Sequence, residues 1–117
     1  MRIVLLGSGN VATQLALALK AIGEEIVQVY SPNVVNAKAL ADVVKAVAID
    51  DLTQAEQQAD LYIISVKDDA IEDVAKGLNS VTGLVVHTSG TTDVKVLLGQ
   101  VKRAGVFYPL QTFSKSR

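Results

Sequence analysis

A six-residue run near the start of the chain, Gly7-Ser8-Gly9-Asn10-Val11-Ala12, has the residue types and spacing to hold a pyrophosphate. The first glycine permits a tight turn, and the second lets phosphates approach the backbone with no Cβ in the way. The small third residue lets a helix pack closely on a strand. Free amides at the start of that helix would point at the anion, and the helix dipole favours its charge. Ser8 and Asn10 could add side-chain hydrogen bonds or cap the helix. The bare pattern also fits a glycine turn with nothing bound, so its place in the chain decides its meaning.

About 20 residues beyond such a loop, an NAD site normally presents Asp or Glu at the end of the second strand, where it accepts from a ribose 2′-hydroxyl. Here that stretch reads Tyr30-Ser31-Pro32-Asn33, and the acidic pair Glu24-Glu25 stands before the strand instead. Without a carboxylate a 2′-phosphate meets no repulsion. Ser31 and Asn33 can donate to its oxygens, Pro32 shapes the turn, and Lys38 can add a charge from the following helix. No arginine stands nearby to clamp the phosphate. The expected cofactor is NADP, with NAD less favoured. The same Ser-Pro-Asn stretch is also an ordinary turn.

Two further loops leave strand ends on the side where open α/β sheets bind ligands. Val66-Lys67-Asp68-Asp69 follows one strand, and Lys67 can reach a phosphate or a carboxylate, although a solvated loop lysine is the commoner reading of such a residue. Asp68 could cap the next helix. His87-Thr88-Ser89 follows another strand. Thr88 and Ser89 are candidates for the cofactor site, whereas His87 reads better as a hydrogen-bonded structural histidine than as a proton donor. No catalytic residue is assigned. No metal-ligand spacing surrounds the single histidine, so no metal is expected.

These loops need elements to hold them, and the chain supplies two alternating periods. Largely apolar stretches at Ile3–Leu6, Ile26–Tyr30, Val47–Ile49, Leu61–Val66, Leu84–Val86 and Gly105–Tyr108 suit strands of a buried sheet. Helical spacing fills the intervals, at Val11–Ile22, Val34–Val44, Asp51–Gln57, Asp68–Leu78 and Asp93–Arg103. Strands alternating with helices imply right-handed crossovers. The expected fold class is α/β, a doubly wound and mainly parallel sheet with helices on both faces. The glycine run sits at its first strand-to-helix turn.

Composition bounds the partners. The 117 residues carry 11 basic and 12 acidic side chains, a net charge of −1 and no cysteine. That balance offers no electrostatic footprint for nucleic acid or an anionic membrane. It also leaves no disulfide framework, thiolate metal site or thiol nucleophile. Mean hydropathy is +0.34, yet the longest apolar run is the five residues Leu15 to Leu19, far short of the ~18 that a membrane span requires. The expected location is the cytoplasm. The length suits one domain over residues 1–117.

Gly-Ser-Gly-Asn-Val-Ala resembles the loop of the pyrroline-5-carboxylate reductase side of the dinucleotide-binding reductases. His87-Thr88-Ser89-Gly90 and Gly105-Val106-Phe107-Tyr108-Pro109-Leu110-Gln111-Thr112-Phe113 resemble signatures of a family of two-domain NADP oxidoreductases. The Pro-Leu-Gln-Thr-Phe run is the most specific part. The resemblance covers essentially the whole chain, and it implies an N-terminal Rossmann-like domain followed by a helical one. The family's loop falls on Gly7 through Ala12 and its adenosine-side turn on Ser31 through Asn33. Its nicotinamide end falls on the Val66-Lys67-Asp68 and Thr88-Ser89-Gly90 loops. Pro32 stands where many relatives carry arginine, and Tyr108 where many carry histidine. In such reductases the helical domain supplies much of the substrate pocket and the dimer interface. A homodimer is therefore expected only with that domain, which these 117 residues do not include, and the chain alone should bind cofactor with little turnover.

Two functions follow. One is the NADP(H)-binding part of a reductase that moves hydride to or from an unidentified small molecule. The other is a non-catalytic module that senses the dinucleotide; regulatory domains of that kind typically place an acid after the second strand, which this chain lacks.

Overall fold

The computed structural model describes residues 1–88, 97 and 99–106, and for Val106 the backbone alone. Within these residues six strands form one sheet: β1 (Arg2–Leu6), β2 (Glu25–Tyr30), β3 (Val47–Ile49), β4 (Leu61–Ile64), β5 (Leu84–His87) and β6 (Ala104–Val106). Their order is β3-β2-β1-β4-β5-β6, and every neighbouring pair is parallel. Among the described residues three helices cross between strands: α1 (Asn10–Ala21), α2 (Val34–Val44) and α3 (Ile71–Lys76). This is the expected doubly wound α/β sheet.

The apolar run of β1 explains why its strand is central. Ile3 and Leu5 point to one face and join Ala12, Leu15, Ala16, Leu40 and Ala41 of α1 and α2. Val4 and Leu6 point to the other face and join Ile71, Val74 and Ala75 of α3. A strand with period-two alternation can be apolar at every position only if both faces are covered. All four of these side chains are fully buried. Burial of a leucine or isoleucine contributes about 2 kcal/mol, so this one strand anchors both layers.

Several expected elements are shorter than their sequence pattern. In place of a helix over Asp51–Gln57 there is one 3-10 turn, Leu52–Gln54. Asp51 starts it by accepting from the Thr53 amide, but the Glu56 amide then donates to Gln28 Oε1 on β2 and draws the chain out of helical geometry. The expected helix over Asp68–Leu78 is a 3-10 turn, Asp68–Ala70, leading into the six residues of α3. Its end is tight because the Gly77 amide bonds to Val74 three residues back. The strand expected over Leu61–Val66 stops at Ile64, freeing Ser65 and Val66 for the loop. Of the helix expected over Asp93–Arg103, only Leu97 and residues 99–103 are described. They form a turn, a bridge residue at Val101 and a bend, and Gly99 has a φ of +85°. Phe107 and Tyr108, expected in the last strand, lie outside the described residues.

Candidate functional site

The strand order reverses between β1 and β4, which leaves a crevice at their carboxyl ends. A cleft of about 730 Å³ opens there, within the range of small-molecule sites. Four segments wall it: Gly7–Ala12 after β1, Tyr30–Pro32 at the end of β2, Ser65–Ala70 after β4, and Thr88 after β5, with Val74 of α3 behind them.

Local bonding fixes the glycine loop. The Gly7 amide donates to the Tyr30 carbonyl at 2.8 Å, and the Ser65 amide donates to the Leu6 carbonyl at 2.8 Å. Gly7 has a φ of +139°, and a Cβ there would lie 2.0 Å from the Ser65 carbonyl oxygen. Only glycine lets the chain turn so close to β4. Gly9 differs: a Cβ built on it meets nothing within 4 Å, so its open side faces the cleft.

Gly9 is also the N-cap of α1, and no side chain caps that end. Neither Ser8 nor Asn10 takes the capping role that their types allowed. The first intrahelical bond runs from the Thr13 amide to the Gly9 carbonyl at 2.9 Å. The three preceding amides, of Asn10, Val11 and Ala12, lie at the helix start that has no capping side chain, and all three residues line the cleft. This arrangement fits a pyrophosphate: space above Gly9, amide donors beneath it and the positive end of a twelve-residue helix behind them.

The β2 turn is more constrained than its sequence suggests. Ser31 is 5% exposed, and its Oγ accepts from the Asn33 amide at 3.2 Å. Asn33 caps α2 through Oδ1, which accepts from the Val35 and Asn36 amides at 3.0 and 3.3 Å. Asn33 is absent from the cleft wall, and so is Lys38, whose ammonium lies 4.0 Å from Asp42 one helical turn along the exposed face of α2. The structure thus does not bring these two to the cleft wall: Asn33 caps α2, and Lys38 stands on that helix's exposed face. Ser31 and Pro32 do line the cleft.

Tyr30 also lines it, a residue that sequence reasoning passed over. Partial burial raises its phenol above the ordinary pKa, helped by the carboxylates of Asp51 and Asp50 after β3, so the ring stays neutral at physiological pH.

On the other side, Val66, Lys67 and Asp68 stand on the wall with Asp69 of the same loop, joined by Ser65, Ala70 and Val74, which carry no motif in the sequence. Lys67, not Asp68, occupies the cap position of the 3-10 turn, and no side chain caps it. Lys67, Asp68 and Asp69 supply the only charged side chains on the described wall. Thr88 reaches the cleft and its Oγ1 lies 3.3 Å from Ser65 Oγ. His87 is fully buried at the end of β5 and does not line the cleft, in keeping with a structural role. Ser89 and Tyr108 lie outside the described residues. Among the described residues no cluster of His, Cys, Asp or Glu could hold a metal ion, and no helix is long and apolar enough to cross a membrane.

The model of the family described as NADP oxidoreductase, coenzyme F420-dependent, matches residues 2–89. The chain belongs to that family. This NADP-oxidoreductase-type Rossmann domain superposes on a Bacteroides fragilis protein, provisionally described as an NADP oxidoreductase, with a TM-score of 0.88 and 45% identity over 99% of the present chain. Prephenate dehydrogenase of A. aeolicus, solved with hydroxyphenyl propionate and NAD+, matches 94% of the chain at a TM-score of 0.83 and 18% identity. The 1-pyrroline-5-carboxylate reductase of Streptococcus pyogenes matches 86% at a TM-score of 0.71 and 21% identity. At such identities the last two attest the fold alone. The family domain spans less than half of each of these proteins: 46%, 42% and 38% of their respective lengths. Among curated proteins, none matches the sequence.

Proposed function

We propose that residues 1–117 are the NADP(H)-binding domain of a two-domain reductase acting on a small molecule. The observation that carries this reading is the uncapped start of α1 beneath the open side of Gly9, set at the point where strand order reverses. The pyrophosphate lies over Gly9 and takes hydrogen bonds from the Asn10, Val11 and Ala12 amides. The adenosine half runs toward Tyr30, Ser31 and Pro32, and the nicotinamide half toward Ser65, Val66, Lys67 and Thr88, because the β2 and β4/β5 loops flank the glycine loop on opposite sides. A bound nicotinamide supplies the hydride chemistry. The protein positions it and keeps water from its inner face, where Val66 and Val74 line the wall.

NADP is favoured over NAD because the β2 turn carries no carboxylate to repel a 2′-phosphate, and Ser31 retains a hydroxyl proton to donate to it. The preference is modest, since no cation stands on that side of the described wall. A helical domain supplies the second wall of the substrate pocket and the dimer contact, so this domain alone binds dinucleotide with little turnover. Titration of the 117-residue chain with NADPH and NADH by calorimetry tests the reading. Binding of both, tighter for NADPH, is expected; no heat from either at about millimolar concentration overturns it.

A further inference from the structure

Ser65 and Thr88 directly follow the ends of neighbouring strands β4 and β5, and both residues stand on the cleft wall across the glycine loop from Tyr30 and Pro32. Both residues are half-buried, and backbone bonds fix their positions: the Ser65 amide to Leu6 at 2.8 Å and the Thr88 amide to Ile64 at 3.2 Å. Thr88 Oγ1 donates to Ser65 Oγ at 3.3 Å, long for a bond between hydroxyls. In that arrangement the proton of Ser65 remains available as a donor and the lone pairs of Thr88 as acceptors. The two groups thus present one donor and one acceptor, side by side, on a rigid parallel strand pair.

Resting on the cofactor reading above, we infer that Ser65 and Thr88 together hold a primary carboxamide, that of the nicotinamide ring. Ser65 donates to the amide oxygen, and Thr88 accepts from the amide nitrogen. A primary amide is the group whose donor and acceptor stand side by side in the complementary sense. Bonding both ends fixes the rotation of the carboxamide and sets which face of the ring meets the substrate. These are positioning residues. The neighbouring charged groups, Lys67, Asp68 and Asp69, lack this paired neutral complement.

The test compares three ligands on the 117-residue chain by calorimetry: NADP+, its 3-acetylpyridine analogue, which keeps the carbonyl but has no amide N–H, and 2′-phospho-ADP-ribose, which lacks the ring. Ser65→Ala is expected to weaken NADP+ about threefold to tenfold, the scale of one neutral hydrogen bond, and to leave 2′-phospho-ADP-ribose unchanged. The wild type should prefer NADP+ to the acetylpyridine analogue, and Thr88→Val should erase that preference while Thr88→Ser restores it. Equal weakening of all three ligands, or unchanged discrimination in Thr88→Val, overturns the inference. A wild-type chain that binds 2′-phospho-ADP-ribose but gains nothing from the ring also overturns it, and leaves the cofactor reading standing. A chain that binds none of the three overturns the cofactor reading itself.

Discussion

The amide of Gly7 donates to the carbonyl of Tyr30 at 2.8 Å, so the loop after β1 is fastened to the last residue of β2. Across the same glycine the Ser65 carbonyl fills the space that a Cβ would take. The loop is therefore clamped from both neighbouring strands before any ligand arrives. Such preorganisation lowers the entropy cost of binding.

The two glycines should fail differently. Gly7→Ala places a methyl 2.0 Å from the Ser65 oxygen on a backbone at φ +139°. Urea unfolding should show a loss of about 3 kcal/mol or more, from steric overlap and strain together.

Gly9→Val should fold and fail to bind. Its Cβ meets no protein atom, and its φ of −79° suits any residue. The branched side chain would occupy the space over the α1 amides, so NADPH affinity should fall by at least about tenfold, while unfolding costs only about 1 kcal/mol from the poorer N-cap. Fluorescence titration beside a denaturation curve separates the two effects.

Cofactor preference should respond to Pro32, which is exposed on the cleft wall. Pro32→Arg should raise the preference for NADPH over NADH about tenfold, and added salt should diminish the gain. Pro32→Asp should shift the ratio toward NADH. Ser31 is the poorer position for either change, because its side chain is buried and already bonded to the Asn33 amide.

Asn33→Ala should cost about 1 kcal/mol of stability through loss of the α2 cap. Lys38→Ala should alter neither stability appreciably nor NADPH affinity, since its ion pair with Asp42 is exposed. A drop in NADPH affinity for Lys38→Ala at constant stability would return that lysine to the site.

Asp51 predicts an acid effect. Its carboxylate accepts from the Thr53 amide and then from the Thr53 hydroxyl, which hold its pKa below the ordinary 3.8. The folded state thus binds its proton less readily than the unfolded chain does. The stabilisation is present above pH 3.8 and disappears as pH falls through the lower folded value. Asp51→Asn keeps an accepting oxygen at the cap and should flatten that part of the acid unfolding curve.

Read along the chain, local chemistry carried far. The strand β1 and the loop Gly7–Ala12 were legible because a buried apolar run, a turn and a helix start are contiguous and each needs particular residue types. The alternation of periods was enough for the sheet's class. The short helices were overestimated where a distant partner intervened, as when Gln28 on β2 captured the Glu56 amide.

The membership of the cleft was a different matter. Tyr30, Ser65, Ala70 and Val74 carry no motif, and they share a cleft with Gly9 only because β4 lies beside β1 and the strand ends fall in register. Conversely, Asn33 and Lys38 have suitable chemistry in a suitable stretch, yet an N-cap and a helical phase assign them elsewhere. Residue type and spacing settle what a short segment can form, because turns, caps and periodicity act over a few residues. Which side chains share one cavity depends on strand order and register, and those are set by burial over the whole sheet.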